Sequence, residues 1–165
     1  MSIRPVILAF ALGILSSSAF AQTSADNQVL GTWKMVSATI DPGGRNIPAY
    51  GEKPNSLLVF TPDMHFVEVL TDADTPRFAS NARGGGTDEE NRMAMSRGIG
   101  FFGTYTVDSN GEFSGNRVLG STFPNWVGSV RTRNDLTLVV SGDRMTEQFR
   151  RPEGTQIQIE WRRVE

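Results

Sequence analysis

The sequence predicts an all-β fold, an antiparallel β-barrel with one short α-helix beside it. Three observations carry the prediction. Nine or ten short strand-like runs follow one another with turn signals between them, the spacing of barrels and sandwiches. Only one segment of the chain beyond the N-terminal region carries convincing helix signals. Tryptophans stand near both ends, Trp33 in Leu30-Gly31-Thr32-Trp33 and Trp161 in Trp161-Arg162-Arg163. A barrel that closes on itself brings its first and last strands together, where an arginine can cover an indole face by cation–π contact.

The N-terminal region is set aside first. Arg4 is the only charge before Asp26, Val6 to Leu15 is an apolar run, and Ala19-Phe20-Ala21 has the small-x-small form of a signal-peptidase site. Residues 1–21 are therefore expected to be an export signal cut after Ala21, residues 22–28 a loose leader, and residues 29–165 the folded domain. The apolar run is about half the roughly twenty residues that span hydrocarbon. The expected compartment is the periplasm or the cell exterior. Without cysteine there is no thiol to acylate and no disulfide, so packing alone must hold the fold. Removing Arg4 leaves 15 basic and 18 acidic residues, a net −3, with Lys34 and Lys53 the only lysines. That balance excludes the basic footprint of a nucleic-acid or anionic-membrane binder.

The elements follow in order. Val29 to Ile40 reads as a first strand with Trp33, Met35 and Ser37 on one face, ended by the turn cluster Asp41-Pro42-Gly43-Gly44. Tyr50 to Pro54 continues an irregular loop. Ser56–Phe60 and His65–Leu70 are strands joined by the tight turn Thr61-Pro62-Asp63-Met64. Thr71 to Gly86 is the longest irregular stretch, the kind of loop that often carries function. Thr87-Asp88-Glu89-Glu90 opens the helix with a capping threonine, a glutamate three residues on and an acidic first turn, and Gly98 stops it. Ile99–Val107 and Glu112–Thr122 flank Asn110-Gly111, a hairpin signal. After the corner Phe123-Pro124-Asn125-Trp126 come strands over 127–132, 136–140, 145–150 and 155–164. In the last, Ile157, Ile159, Trp161 and Arg163 share one face, which sets Arg163 rather than Arg162 toward Trp33.

The succession Leu30-Gly31-Thr32-Trp33, Leu57-Leu58-Val59-Phe60-Thr61-Pro62-Asp63, Arg77-Phe78-Ala79, Gly86-Thr87-Asp88-Glu89-Glu90, Phe101-Phe102-Gly103-Thr104-Tyr105-Thr106-Val107 and Gly120-Ser121-Thr122-Phe123-Pro124-Asn125-Trp126-Val127-Gly128 resembles the bacterial lipocalin-like domain family, from about Val29 to Val164. The resemblance implies a calycin-type barrel of the kind that commonly holds small apolar ligands. It also implies a structural signature of Gly31, Trp33 and Arg163. Two departures stand out. Relatives often carry histidines and an acidic residue before the Phe-Pro-Asn-Trp corner, where this chain reads Gly115-Asn116-Arg117-Val118-Leu119-Gly120. They usually have glycine where this chain has Met64. The missing histidines tilt the reading toward binding.

Six residues are candidates to contact a ligand, each beside a plainer alternative. Trp126 walls a site or packs under its own turn, and Asn125 is placed to hydrogen-bond a ligand carbonyl or hydroxyl. Tyr105, on a face with Phe101, Gly103 and Val107, either projects a phenol into a cavity or is tied to backbone in the core. Phe102 belongs to the same aromatic block. Arg77 in the long loop and Arg117 in its strand are candidates for a carboxylate, Arg117 pointing inward or lying solvated on an edge. His65, the lone histidine, is a poor basis for a metal, and no metal or other cofactor is expected. Asp88, Glu89 and Glu90 fit the helix dipole better than paired catalysis. Gly84-Gly85-Gly86 lacks the lysine of a phosphate loop.

The expected function is binding of a small, mainly apolar or amphipathic molecule in the barrel interior. A cofactor-free isomerase, cyclase or hydratase using Tyr105, and a structural or protein-binding barrel without a ligand, are the alternatives.

Overall fold

A computed structural model describes residues 27–151 and 154–164. The expected export signal, residues 1–21, and most of the leader lie outside the described residues. Ten strands and one α-helix follow in order: β1 (Gly31–Ile40), β2 (Ile47–Pro48), β3 (Leu57–Phe60), β4 (His65–Thr71), α1 (Asp88–Ser96), β5 (Gly98–Val107), β6 (Phe113–Ser121), β7 (Val130–Thr132), β8 (Leu136–Ser141), β9 (Arg144–Arg150) and β10 (Gln156–Arg163). A 3-10 turn, Pro124–Trp126, sits between β6 and β7.

The strands form one antiparallel sheet in the order β7-β6-β5-β4-β3-β1-β10-β9-β8, with β2 an extra pairing on β1. The sheet curls into a nearly closed barrel whose end strands, β7 and β8, come side by side, with β1 paired between β3 and β10. The first and last strands thus meet, with Trp33 opposite Arg163 and Met35 opposite Trp161. One seam lies between β7 and β8, the two ends of the strand order. Arg133, in the turn that joins these two strands, ties that turn to β6 and to the β5–β6 turn. It donates from Nε to the Phe113 carbonyl at 2.6 Å and from Nη2 to Asp108 at 2.7 Å.

Period-two alternation decides what fills the barrel. In β10, Ile157, Ile159 and Trp161 are buried while Gln156 and Arg162 are exposed. In β4, Phe66, Glu68 and Leu70 point in, and in β5 Phe101, Gly103 and Tyr105 do. Their side chains join Trp33, Leu58, Phe60, Phe113, Val118 and Met145 in one continuous core. The end of the barrel holding Trp33, Tyr105 and Phe113 is closed. The Trp33 indole donates to the Val29 carbonyl at 2.8 Å, and the Arg163 guanidinium lies over the same ring, 4.0 Å from its centroid. Arg163 also donates to the carbonyls of Leu30 and Gln28. Gly31, at φ +116°, leaves room for that guanidinium, because a Cβ there would stand 3.1 Å from Nη1. Arg162 is on the outer side.

The structure corrects four local expectations. A β-bulge between Met35 and Ser37 shifts the inner face, so Ala38 is buried and Ser37 exposed. Ile47–Pro48 pairs with β1 although no strand was legible there. Residues 127–129 continue the corner rather than the strand, with Gly128 at φ +85°. The helix ends at Ser96, and Gly98 begins β5 instead of capping α1. The capping box is present in full: Thr87 accepts from the Glu90 amide, and Glu90 accepts from the Thr87 amide.

Gly103 is the tightest point of the barrel wall. A Cβ there would lie 1.9 Å from the Arg117 carbonyl oxygen across the ladder and 3.0 Å from the Phe66 ring. Gly103→Ala is expected to destabilise the protein by about 3 kcal/mol or more, since backbone has to move to admit the methyl. A urea titration checks this; a midpoint unchanged from the parent protein refutes the packing.

Candidate functional site at the open end of the barrel

The end opposite Trp33 is built from the start of β5 and β10, the end of β9, the 3-10 turn and the last turn of α1. Helix α1 buries none of its residues fully, so it serves as a rim rather than a core element. Two clefts open here on either side of Trp126 and Arg151. One, of about 430 Å³, is lined by Tyr50, Met95, Ile99, Phe123, Trp126 and Arg151 among others. The other, of about 290 Å³, is lined by Asn125, Trp126, Arg131, Phe149 and Arg151 among others. Below them the core cluster fills the barrel down to the closed end.

The aromatic walls of this mouth are held by their own geometry. The Trp126 ring meets Phe101 edge-on at 5.2 Å and Phe123 at 6.1 Å between centroids. The Arg131 guanidinium lies over both Trp126, at 4.7 Å, and Phe101, at 5.5 Å. A planar cation on two rings is partly desolvated and fixed in place.

Beneath the aromatics the barrel contains charge. Glu68 on β4 and Glu147 on β9 both point inward and are 4 % and 2 % exposed. Glu147 Oε2 accepts from the Trp161 indole at 2.9 Å, whereas Glu68 Oε1 has no protein partner. Burial, and then the neighbouring carboxyl of Glu147, push the Glu68 carboxyl well above the usual range, with Arg131 acting in the opposite direction. Burial likewise raises Glu147 to about 7 against the pull of Trp161 and Arg131. Tyr50, 7 % exposed and part of the cleft wall, is raised by burial and by the same two glutamates. One arginine, two interior carboxyls and a phenol thus share one electrostatic neighbourhood directly under the clefts. No motif marks these glutamates. Strand periodicity does: Phe66-x-Glu68-x-Leu70 and Met145-x-Glu147-x-Phe149 each put a carboxyl between inward apolar neighbours.

Of the six residues singled out from sequence, two stand together at the mouth: Trp126, half-buried, and the exposed Asn125. The other four lie elsewhere. Tyr105 is at the closed end, its hydroxyl donating to the Thr61 carbonyl at 2.8 Å and accepting from Asn27 at 2.7 Å. Arg117 does not point inward; it is exposed, and Asn116 and Val118 take the inner face. An unpaired guanidinium there would have to be desolvated, while the smaller amide is less costly to bury. Phe102 is on the outer wall with its ring over Gly120, the residue opposite it in β6. Arg77 lines a depression of the long loop with Phe78, Arg83 and Asn91, which shares no residue with the mouth clefts. His65 is exposed, its Nδ1 3.0 Å from the Asp63 carbonyl. Among the described residues no group of three or more histidine, cysteine, aspartate or glutamate side chains is placed to hold a metal ion. Nor is any described helix long and apolar enough to cross a membrane.

Comparison with known proteins bears on the fold. A family model described as a lipocalin-like domain matches residues 30–162. A solved structure of a redesigned β-barrel matches at 13 % identity and a TM-score of 0.44, covering 84 % of this chain and 93 % of the other. No curated protein matches the sequence.

The buried carboxyls set a pH dependence. An unfolded glutamate ionises near 4.5, whereas folded Glu147 keeps its proton to about 7. Between those values the native state binds the extra proton, so stability falls as pH rises through the window and stays low above it. Thermal unfolding between pH 4.5 and 8 is expected to show this fall, and Glu147→Gln to flatten it. An equally steep fall in the variant would assign the effect to other groups.

Proposed function

The chain belongs to the lipocalin-like domain family, and from that premise we propose that it binds a small, mainly apolar molecule with a polar end, seated in the mouth of the barrel. The observation that supports this most is the aromatic cleft at the open end. Tyr50, Ile99, Phe123 and Trp126 wall it, and Arg151 stands at its edge. Apolar walls with a few placed polar groups are the usual composition of a small-molecule site. The ligand lies at the mouth and not at mid-barrel, because side chains occupy the lower interior. Burying about 300 Å² of apolar surface would contribute roughly 7 kcal/mol before the entropy of association is subtracted, short of the roughly 8 kcal/mol of micromolar binding, so the polar contacts must add to it.

Within this reading Trp126 is the main contact, Asn125 and Arg151 supply polar contacts at the edge, and Tyr105 holds the closed end together. A turnover built on Tyr105 is not part of it, since both partners of that hydroxyl come from the protein. We further propose that the protein works in the periplasm or outside the cell. The support is the charged, apolar and small-x-small order of residues 1–21.

Native mass spectrometry of protein isolated from its source is expected to show a bound small molecule that is released on denaturation. Trp126→Ala is expected to lower its affinity at least about tenfold, or 1.4 kcal/mol. Repeatedly empty protein at native mass would count against the reading. Edman sequencing of the exported protein is expected to begin at Gln22, and a chain still carrying residues 1–21 would refute export by cleavage.

A further inference from the structure

An oxygen buried without a partner costs about 1–3 kcal/mol, so its retention calls for an explanation. Two such oxygens face the interior of this barrel, Glu68 Oε1 and Asn116 Oδ1. Both belong to residues more than nine-tenths buried. Asn116 is the ladder partner of Arg131, whose guanidinium stands over Trp126 and Phe101 and lines the smaller cleft. Glu68 is the ladder partner of Phe101 and an electrostatic neighbour of the cleft residue Tyr50. Glu68 thus adjoins the mouth through Phe101, and Asn116 stands between Arg131 of the mouth and Tyr105 of the closed end.

The charges around them narrow what fits. A ligand carboxylate brings only acceptors and so leaves Glu68 Oε1 without a donor. An ammonium group would compete with Arg131, the cation already held beside Glu68 and Glu147. A neutral hydroxyl or amide N–H meets neither objection and supplies the donor that Glu68 Oε1 lacks. We propose that Glu68 binds the hydrogen-bond-donating end, a hydroxyl or amide N–H, of an uncharged amphipathic molecule whose apolar body lies in the mouth cleft against Trp126. This rests on the ligand-binding reading of that cleft. Glu147, held by the Trp161 indole, and Arg131, held by the two rings, are positioning residues that keep the Glu68 carboxyl in place.

Four eight-carbon probes test the proposal by isothermal titration of the folded domain at pH 6: 1-octanol, its isomer 1-methoxyheptane, octanoate and octylammonium. 1-Octanol is expected to bind at least tenfold more tightly than the ether, which has the same atoms and no donor. Glu68→Leu is expected to bring 1-octanol down to the affinity of the ether, leave the ether unchanged, and raise the melting temperature by removing an unpartnered buried group. Glu68→Gln, which keeps an acceptor, is expected to retain the preference for the alcohol, and guards against a leucine variant that fails to fold. Equal binding of alcohol and ether would overturn the proposal and assign the free oxygen to ordered water. Tightest binding by octanoate would overturn it in favour of the edge arginines, with the cleft still a ligand site. Failure of all four probes would overturn the ligand-binding reading of the cleft, and the proposal with it.

Discussion

The pairing of β1 with β10 is the contact on which the rest of the molecule depends. It joins residues at opposite ends of the domain, and its register sets Trp33 against Arg163. Closing so long a loop carries a large entropic cost, and the return is concentrated locally. A fully buried indole donates to the Val29 carbonyl, a guanidinium covers its face and ties down the segment at Gln28 and Leu30, and Gly31 makes the room. Cation–π contact of this kind contributes only about 0.5–2 kcal/mol. Its larger effect is to fix which residues of the two strands face inward. The opposite seam, between β7 and β8, lacks such a ladder, and Arg133 in the turn there bonds instead to the Phe113 carbonyl and Asp108 of the neighbouring hairpin.

With one end plugged, the barrel has two unlike halves. The lower half is dry and aromatic: Phe60 and Tyr105 meet edge-on at 4.8 Å, and Phe66 and Phe113 complete the layer. The upper half holds Glu68, Glu147 and Arg131, an arrangement that lowers stability in the way buried ionisable groups do. A core of the same shape filled with leucine would be easier to fold. Retaining these groups directly below an open aromatic cleft is what motivates the binding proposal, since strain and desolvation tend to collect where a protein acts. The turn after Pro62-Asp63 illustrates the contrast at the closed end. Met64 adopts φ +64°, a left-handed conformation that favours glycine, which gives a physical reason for the glycine expected of relatives there. In this chain the Met64 side chain packs on the core and its carbonyl accepts the Tyr105 amide at 2.9 Å, so packing offsets the strain.

Most of the architecture was legible in the sequence, because barrels are specified by local rules. Alternation in Ile157-Gln158-Ile159-Glu160-Trp161, the Thr87–Glu90 capping box and the Asn110-Gly111 turn each act over a few residues. Errors came where one residue changes the phase, as at the bulge beside Val36, or where a two-residue pairing such as Ile47–Pro48 has too little pattern to read. The site was less legible. The Phe-Pro-Asn-Trp corner places Trp126 at the mouth, and alternation puts Tyr105 on the inner face with Phe101 and Gly103, but no local pattern tells that Tyr105 lies at the closed end, or that Arg117 and Phe102 face outward.

The sequence by itself determined the fold class, the order of the strands and the meeting of Trp33 with the last strand, since periodicity and turn chemistry are properties of neighbouring residues. Only the tertiary structure decided which end of the barrel is open, that Glu68 and Glu147 are both buried in its interior, and that Arg131 lies on Trp126 and Phe101. Those facts depend on the rotation of each strand about the barrel and on desolvation by residues far away in the chain. No window of the sequence contains either quantity.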